Sequence, residues 1–92
     1  MPTPKPIHNF IFTDHALSEM SRREINRDEV AKVLSKPEQS EVVRTGRRVY
    51  QSRLNLGEPS KEYLLRVFVD IDRDPPQVVT AYRISKIEKY LR

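Results

Sequence analysis

The chain reads as an α+β domain in which two N-terminal helices pack on one face of an antiparallel sheet of about four strands, with a short C-terminal helix. Three observations carry this reading. The stretch from Tyr63 to Ile71 is the longest nearly unbroken apolar run and is rich in β-branched and aromatic residues. Leu65, Val67, Val69 and Ile71 share one face of it at period two, while Leu64 and Phe68 make the other face apolar, as in a central strand covered on both sides. Ahead of this run two segments carry helix-start signals, and after the second of them the segments are joined by short connections that favour antiparallel neighbours. Arg66 interrupts the apolar run. A guanidinium left unpaired among buried neighbours costs a large desolvation energy, so Arg66 must find a carboxylate, snorkel to water, or lie beneath an anion site.

In chain order, residues 1–11 read as a loose arm, with three prolines and one lysine in the first six positions. Residues 12–92 read as one domain. Ile7 to Phe12 is short and apolar, and Thr13 is placed to cap a helix from Asp14 to about Arg23 that buries Ala16, Leu17 and Met20. Asn26 with Glu29 three residues on forms a capping box, and Ile25 against Val30 the accompanying staple. The second helix buries Val30, Val33 and Leu34 and stops at Lys36, because the residue before Pro37 is pushed out of the helical region. Glu41 to Arg44 and Arg48 to Leu56 flank Thr45-Gly46, a hairpin turn in which glycine supplies the positive φ. A loop from Gly57 to Glu62 leads into the central strand. Asp72 to Pro76 is a turn whose prolines end the ladder, and Gln77 to Arg83 is the fourth strand. Ser85 and Glu88 suggest a second capping box, opening a terminal helix docked through Ile87, Tyr90 and Leu91.

A domain of 92 residues leaves little apolar material for a second core, so a separate cofactor domain is excluded. No cysteine is present, which removes disulfides, thiolate nucleophiles and cysteine zinc sites and fits a reducing, cytoplasmic setting. No stretch approaches the ~20 apolar residues of a membrane span. Asp14 to Lys36 holds five acids and five bases, whereas Glu41 to Arg92 holds eleven bases and seven acids, so the net charge of +4 lies in the second half. Such a surface suits an anionic partner such as RNA, or is simply a solvated, solubilising one.

Several chemistries are absent. Two glycines cannot write a Walker loop or a dinucleotide fingerprint. His8 and His15 lack metal-ligand spacing, and no serine sits in a nucleophile elbow, so neither a metal nor a cofactor is expected. Cleavage of RNA by its own 2′-hydroxyl needs only a base, cations for the phosphorane and an acid for the leaving oxygen. His15 is the side-chain type that exchanges a proton near neutral pH, or else an ordinary surface residue of a first helical turn. Arg66 is a phosphate ligand or a paired structural residue. Arg47, Arg48 and Arg53 are RNA contacts or a solvated face, and Tyr82 is a proton donor or a core aromatic with its hydroxyl at the surface.

At His15-Ala16-Leu17, Met20, Arg23 and Ile25, followed by a capped helix, and again at Thr80-Ala81-Tyr82 with Lys86, the chain resembles a family of small bacterial and archaeal proteins known as a domain of unknown function. That family has been grouped with the RelE-like and BrnT-like toxins and the barnase-like ribonucleases. The resemblance runs from about Phe12 to Tyr90. It implies a RelE-like or barnase-like fold and metal-independent cleavage of RNA, such as ribosome-bound mRNA, held in check by a small antitoxin protein. On this reading His15, Arg66, Tyr82 and Lys86 form the catalytic set, and Arg23, Thr80, Arg47, Arg48 and Arg53 contact RNA. Glu19 stands where a second arginine is common and Glu24 where glycine is. A non-catalytic RNA- or ribosome-binding module and a protein-interaction subunit are the alternatives from other classes.

Overall fold

A computed structural model describes residues 4–87 and 90. Two helices, α1 (Asp14–Arg22) and α2 (Arg27–Ser35), follow a two-residue strand β1 (Ile11–Phe12). The chain then continues as β2 (Gln39–Arg44), β3 (Arg47–Leu56), β4 (Lys61–Asp70) and β5 (Gln77–Ile84). The five strands form one sheet in the order β1-β5-β4-β3-β2, which puts β4 in the middle. Three of its contacts are antiparallel, but β1 runs parallel to β5, with Ile11 opposite Gln77 and Phe12 opposite Val78.

This corrects the expected sheet of about four antiparallel strands. A strand of two residues is too short to show a period in sequence, and its pairing is set instead by backbone bonds from Ile11 N to Pro76 O and from Thr13 N to Val78 O. The expected C-terminal helix is not formed over its described part. Ser85 and Lys86 are non-helical, and Tyr90 N bonds to Ile87 O. Eight residues are below the length at which a helix nucleates unaided, and Tyr90 is held across the sheet instead. Residues 88, 89, 91 and 92, on which part of that expectation falls, lie outside the described ones.

Both helices are set by their caps. Ala16 N donates to Thr13 Oγ1, and the same hydroxyl donates to Val78 O, so one side chain both starts α1 and ties it to β5. Asn26 Oδ1 accepts from Glu29 N at 2.8 Å while Glu29 Oε1 accepts from Asn26 N at 3.4 Å, a reciprocal capping box. Between the helices, Ile25 N bonds Met20 O and Glu24 N bonds Ser21 O, the paired bonds of a Schellman turn in which buried Ile25 packs over buried Met20. The turn forces Glu24 to φ +57°, a left-handed conformation that suits glycine.

The helices cover one face only. Ala16, Met20, Ile25, Val30, Val33 and Leu34 pack on Tyr50, Leu65, Val67, Val69, Val78 and Ala81 to make the main core. Ile7, Phe10 and Phe12 lie partly buried against it, and Ile7 N donates to Leu34 O. The opposite face carries the even-numbered residues of β4, among which Leu64 is fully buried although it lies outside the main core. Ile71, expected to belong to the central strand, lies beyond its end and is exposed, its N–H bonded to Gly46 O.

Replacing Glu24 by glycine removes the left-handed strain at the helix junction. Glu24→Gly should raise stability by about 1 kcal/mol in urea unfolding with an unchanged slope. A loss of stability would show that the Glu24 side chain contributes more than its conformation costs.

Candidate functional site

Strand register brings four polar side chains into a row across the face that the helices leave uncovered. Tyr82 on β5 lies opposite Arg66 on β4, Arg66 opposite Gln51 on β3, and Gln51 opposite Gln39 on β2. Arg66 Nη1 donates to the Tyr82 hydroxyl at 2.6 Å and Arg66 Nε to Gln51 Oε1 at 3.0 Å. Gln51, itself buried, donates through Nε2 to Gln39 Oε1 and to the backbone carbonyl of Tyr90. The guanidinium is also surrounded by aromatic rings. Its carbon lies 4.6 Å from the ring centroid of Tyr90, 5.5 Å from that of Phe68 and 5.6 Å from that of Tyr82. Phe68 and Tyr82 are stacked on each other at 5.8 Å.

Among the described residues no carboxylate makes a salt bridge to Arg66. Its charge is met by an amide, a phenol and π faces, which lower the cost of its partial burial without neutralising it. Such a centre attracts an anion from the open side. The Tyr82 hydroxyl accepts from Arg66 and so keeps its own proton available to donate.

The N-terminal motif residues form a different group. His15 has its side chain 71% exposed on α1, with Nε2 3.7 Å from Glu19 Oε1. Glu19 also contacts Arg22 and Arg23. Arg23 Nη1 reaches Thr80 Oγ1 at 3.3 Å and the carbonyl of Ala81 at 2.9 Å, satisfying β5 beyond the point where β1 ends. Arg83 Nη2 bonds back to the Arg23 carbonyl, and Arg83 Nη1 lies 3.6 Å from Glu29. Thr80 pairs with Phe68, so Thr80 and Tyr82 share the uncovered face, and β5 is the one element common to both groups.

The motif residues on α1 and β5 lie within one stretch, and a family model for a domain of unknown function, DUF4258, matches residues 12–83. The chain belongs to the DUF4258 family. No curated protein and no solved structure matches it. The DUF4258 span takes in the Arg23–Thr80 contact and the Arg66–Tyr82 pair, while Lys86 and Tyr90 fall beyond it. Lys86 is exposed and lines a shallow cleft with Arg83, Ile84, Ser85 and Tyr90.

The remaining arginines named from sequence are not gathered at Arg66. Arg47 forms a two-pronged pair with Asp70, at 2.6 Å and 3.2 Å. Arg53 pairs with Glu38 at 3.0 Å, and Arg48 Nε donates to Ser40 Oγ. The Arg47 hydrogen bonds hold the Asp70 carboxyl below its usual value against the opposing effect of burial. Gln39, Gln51, Phe68 and Tyr90 were not identified as site residues from sequence. Only the hairpin register, which places Gln51 opposite Arg66, would have marked one of them.

Two outcomes test these assignments. Arg23→Ala should lower stability by about 1 to 3 kcal/mol, because it removes charged hydrogen bonds to Ala81 O and Thr80; a neutral result would leave Arg23 without its structural role. Asp70 has a depressed folded value, so its contribution to stability is present above its reference value of 3.8 and is lost as pH falls through the lower folded value. The melting temperatures of the parent and Asp70→Asn should therefore differ near neutral pH and converge in acid. A gap that persists in acid would count against the ion pair as its source.

Proposed function

We propose that this DUF4258 chain binds RNA on the uncovered face of its sheet and cleaves it there as a metal-independent ribonuclease, in the manner of the RelE-like and BrnT-like toxins that its motifs resemble. The observation that carries this reading is Arg66: a guanidinium in the middle strand, oriented by Gln51 and Tyr82 and lacking a carboxylate partner among the described residues. A phosphodiester supplies the missing negative charge, and the fixed guanidinium stabilises the further charge that develops on a phosphorane. The 2′-hydroxyl attacks phosphorus, its proton passing to a base or to water, and the Tyr82 hydroxyl gives its proton to the departing 5′-oxygen. The products are a 2′,3′-cyclic phosphate and a 5′-hydroxyl. Tyr90, whose ring lies on the guanidinium, occupies a position where a nucleobase could stack.

His15 becomes the base in this scheme only if RNA wraps from Tyr82 past Thr80 and around the β5 edge, since its contact is Glu19 on α1. That placement favours a second reading, a non-catalytic RNA-binding module, because no histidine or carboxylate touches the Arg66–Tyr82 pair among the described residues. A small antitoxin protein covering this face is the partner that the first reading brings with it.

Purified protein incubated with end-labelled RNA in EDTA separates the readings. The nuclease reading expects cyclic-phosphate ends, a loss of about 100-fold or more in Arg66→Ala and a similar loss in Tyr82→Phe. Cleavage that survives in His15→Ala would assign the base elsewhere. Salt-sensitive binding that requires Arg66 without cleavage would establish the second reading, and neither binding nor cleavage would overturn both.

A further inference from the structure

The face of the sheet that the helices leave uncovered is not bare. Val49 on β3 stands on it, opposite Phe68, and so does Leu64 on β4, two residues from Arg66. Both lie outside the core that the helices make, yet Leu64 is 0% exposed and Val49 and Gln51 are each 2% exposed. Residues on a solvated sheet face reach such burial only when something lies over them.

The segment after β5 returns over this face, because Tyr90 meets both β3 and β4. Its backbone carbonyl accepts from Gln51 Nε2 at 3.2 Å. Its ring centroid lies 4.6 Å from the Arg66 guanidinium carbon, nearer than the rings of Phe68 and Tyr82. Phe68 and Tyr82 rise from the sheet beside Arg66, whereas Tyr90 reaches it from outside the strands. In the row from Tyr82 through Arg66 and Gln51 to Gln39, one residue therefore engages the central two.

We infer that Tyr90 is a strap that closes the Arg66 site, its ring holding the place of a nucleobase, and that an RNA strand opens the site by displacing it. The inference rests on Arg66 being the phosphate-binding centre of the proposed function. Each contact that closes the strap is one that RNA can replace. A guanidinium stacks on nucleobases as it does on tyrosine rings, so exchanging one aromatic ring for another is nearly balanced. The carbonyl on Gln51 exchanges for an oxygen of a sugar or base. What the strap lacks is negative charge, and a phosphate brings it to a guanidinium that no carboxylate bridges among the described residues. An uncharged aromatic ligand gains little over Tyr90 and leaves the strap closed, so the site opens selectively to an anionic strand.

The probe is a 2′-O-methyl RNA of about eight nucleotides, which carries bases and phosphates but has no free 2′-hydroxyl to attack its own backbone. Nuclear magnetic resonance of the full chain should place the Tyr90 ring against the Arg66 side chain in the free protein, and that contact should vanish when the oligonucleotide saturates the site. Tyr90→Ala should bind the oligonucleotide about tenfold more tightly than the parent, the factor expected when roughly nine molecules in ten are closed. A ring contact absent from the free protein or retained at saturation overturns the strap and leaves Arg66 as an RNA site. Equal or weaker binding by Tyr90→Ala does the same, and weaker binding makes Tyr90 a stacking platform instead. If Tyr90→Ala fails to fold, the ring contact in the parent decides alone. Binding that Arg66→Ala does not weaken, or no binding by the parent and Tyr90→Ala alike, overturns the phosphate reading of Arg66 together with the strap.

Discussion

A positive charge in the middle strand of a small sheet must be satisfied, and the arrangement around Arg66 follows from that constraint. The helix side of β4 is committed to the apolar core through Leu65, Val67 and Val69, so everything Arg66 requires has to come from the other face. Gln51 and Tyr82 are supplied by the strands on either side, and Tyr90 by the segment after the last strand. A carboxylate in place of Gln51 would have made a stable internal pair and left nothing for a ligand. An amide orients the guanidinium and leaves its charge available.

The helices were legible because their signals are local. Thr13, Asn26 and Glu29 act through hydrogen bonds to residues three positions away, and the structure contains those bonds. The parallel strand β1 was not legible, since two residues display no alternation and their partners lie at the far end of the sequence. In the sequence Glu24 stands only as a departure from the glycine common at that position of the resembled family. Its main physical consequence is conformational: it occupies the left-handed position of a Schellman turn, where a glycine would be relaxed.

The site was partly legible for the same kind of reason. Bounding the last turn at Ile71 and Gln77 already sets Arg66 opposite Tyr82, and that pair forms. The loop expected from Gly57 to Glu62 is two residues longer than the one formed, because Lys61 and Glu62 do not look like strand residues. The longer loop shifts the register by two and would set Arg53 rather than Gln51 opposite Arg66. The arginines were harder still, since a list of cations does not show which have nearby carboxylates: Asp70 engages Arg47 and Glu38 engages Arg53.

The link between Thr13 and Val78 spans 65 residues, and it has a consequence for the order in which the domain can be completed. During synthesis α1 emerges well before the strand that receives both its capping threonine and Arg23. The hairpins from β2 to β4 join neighbours in sequence and can close while the chain is still growing. The first helix must wait for β5 before its buried face is covered, so Ala16 and Met20 are the side chains most in need of shielding on a nascent chain.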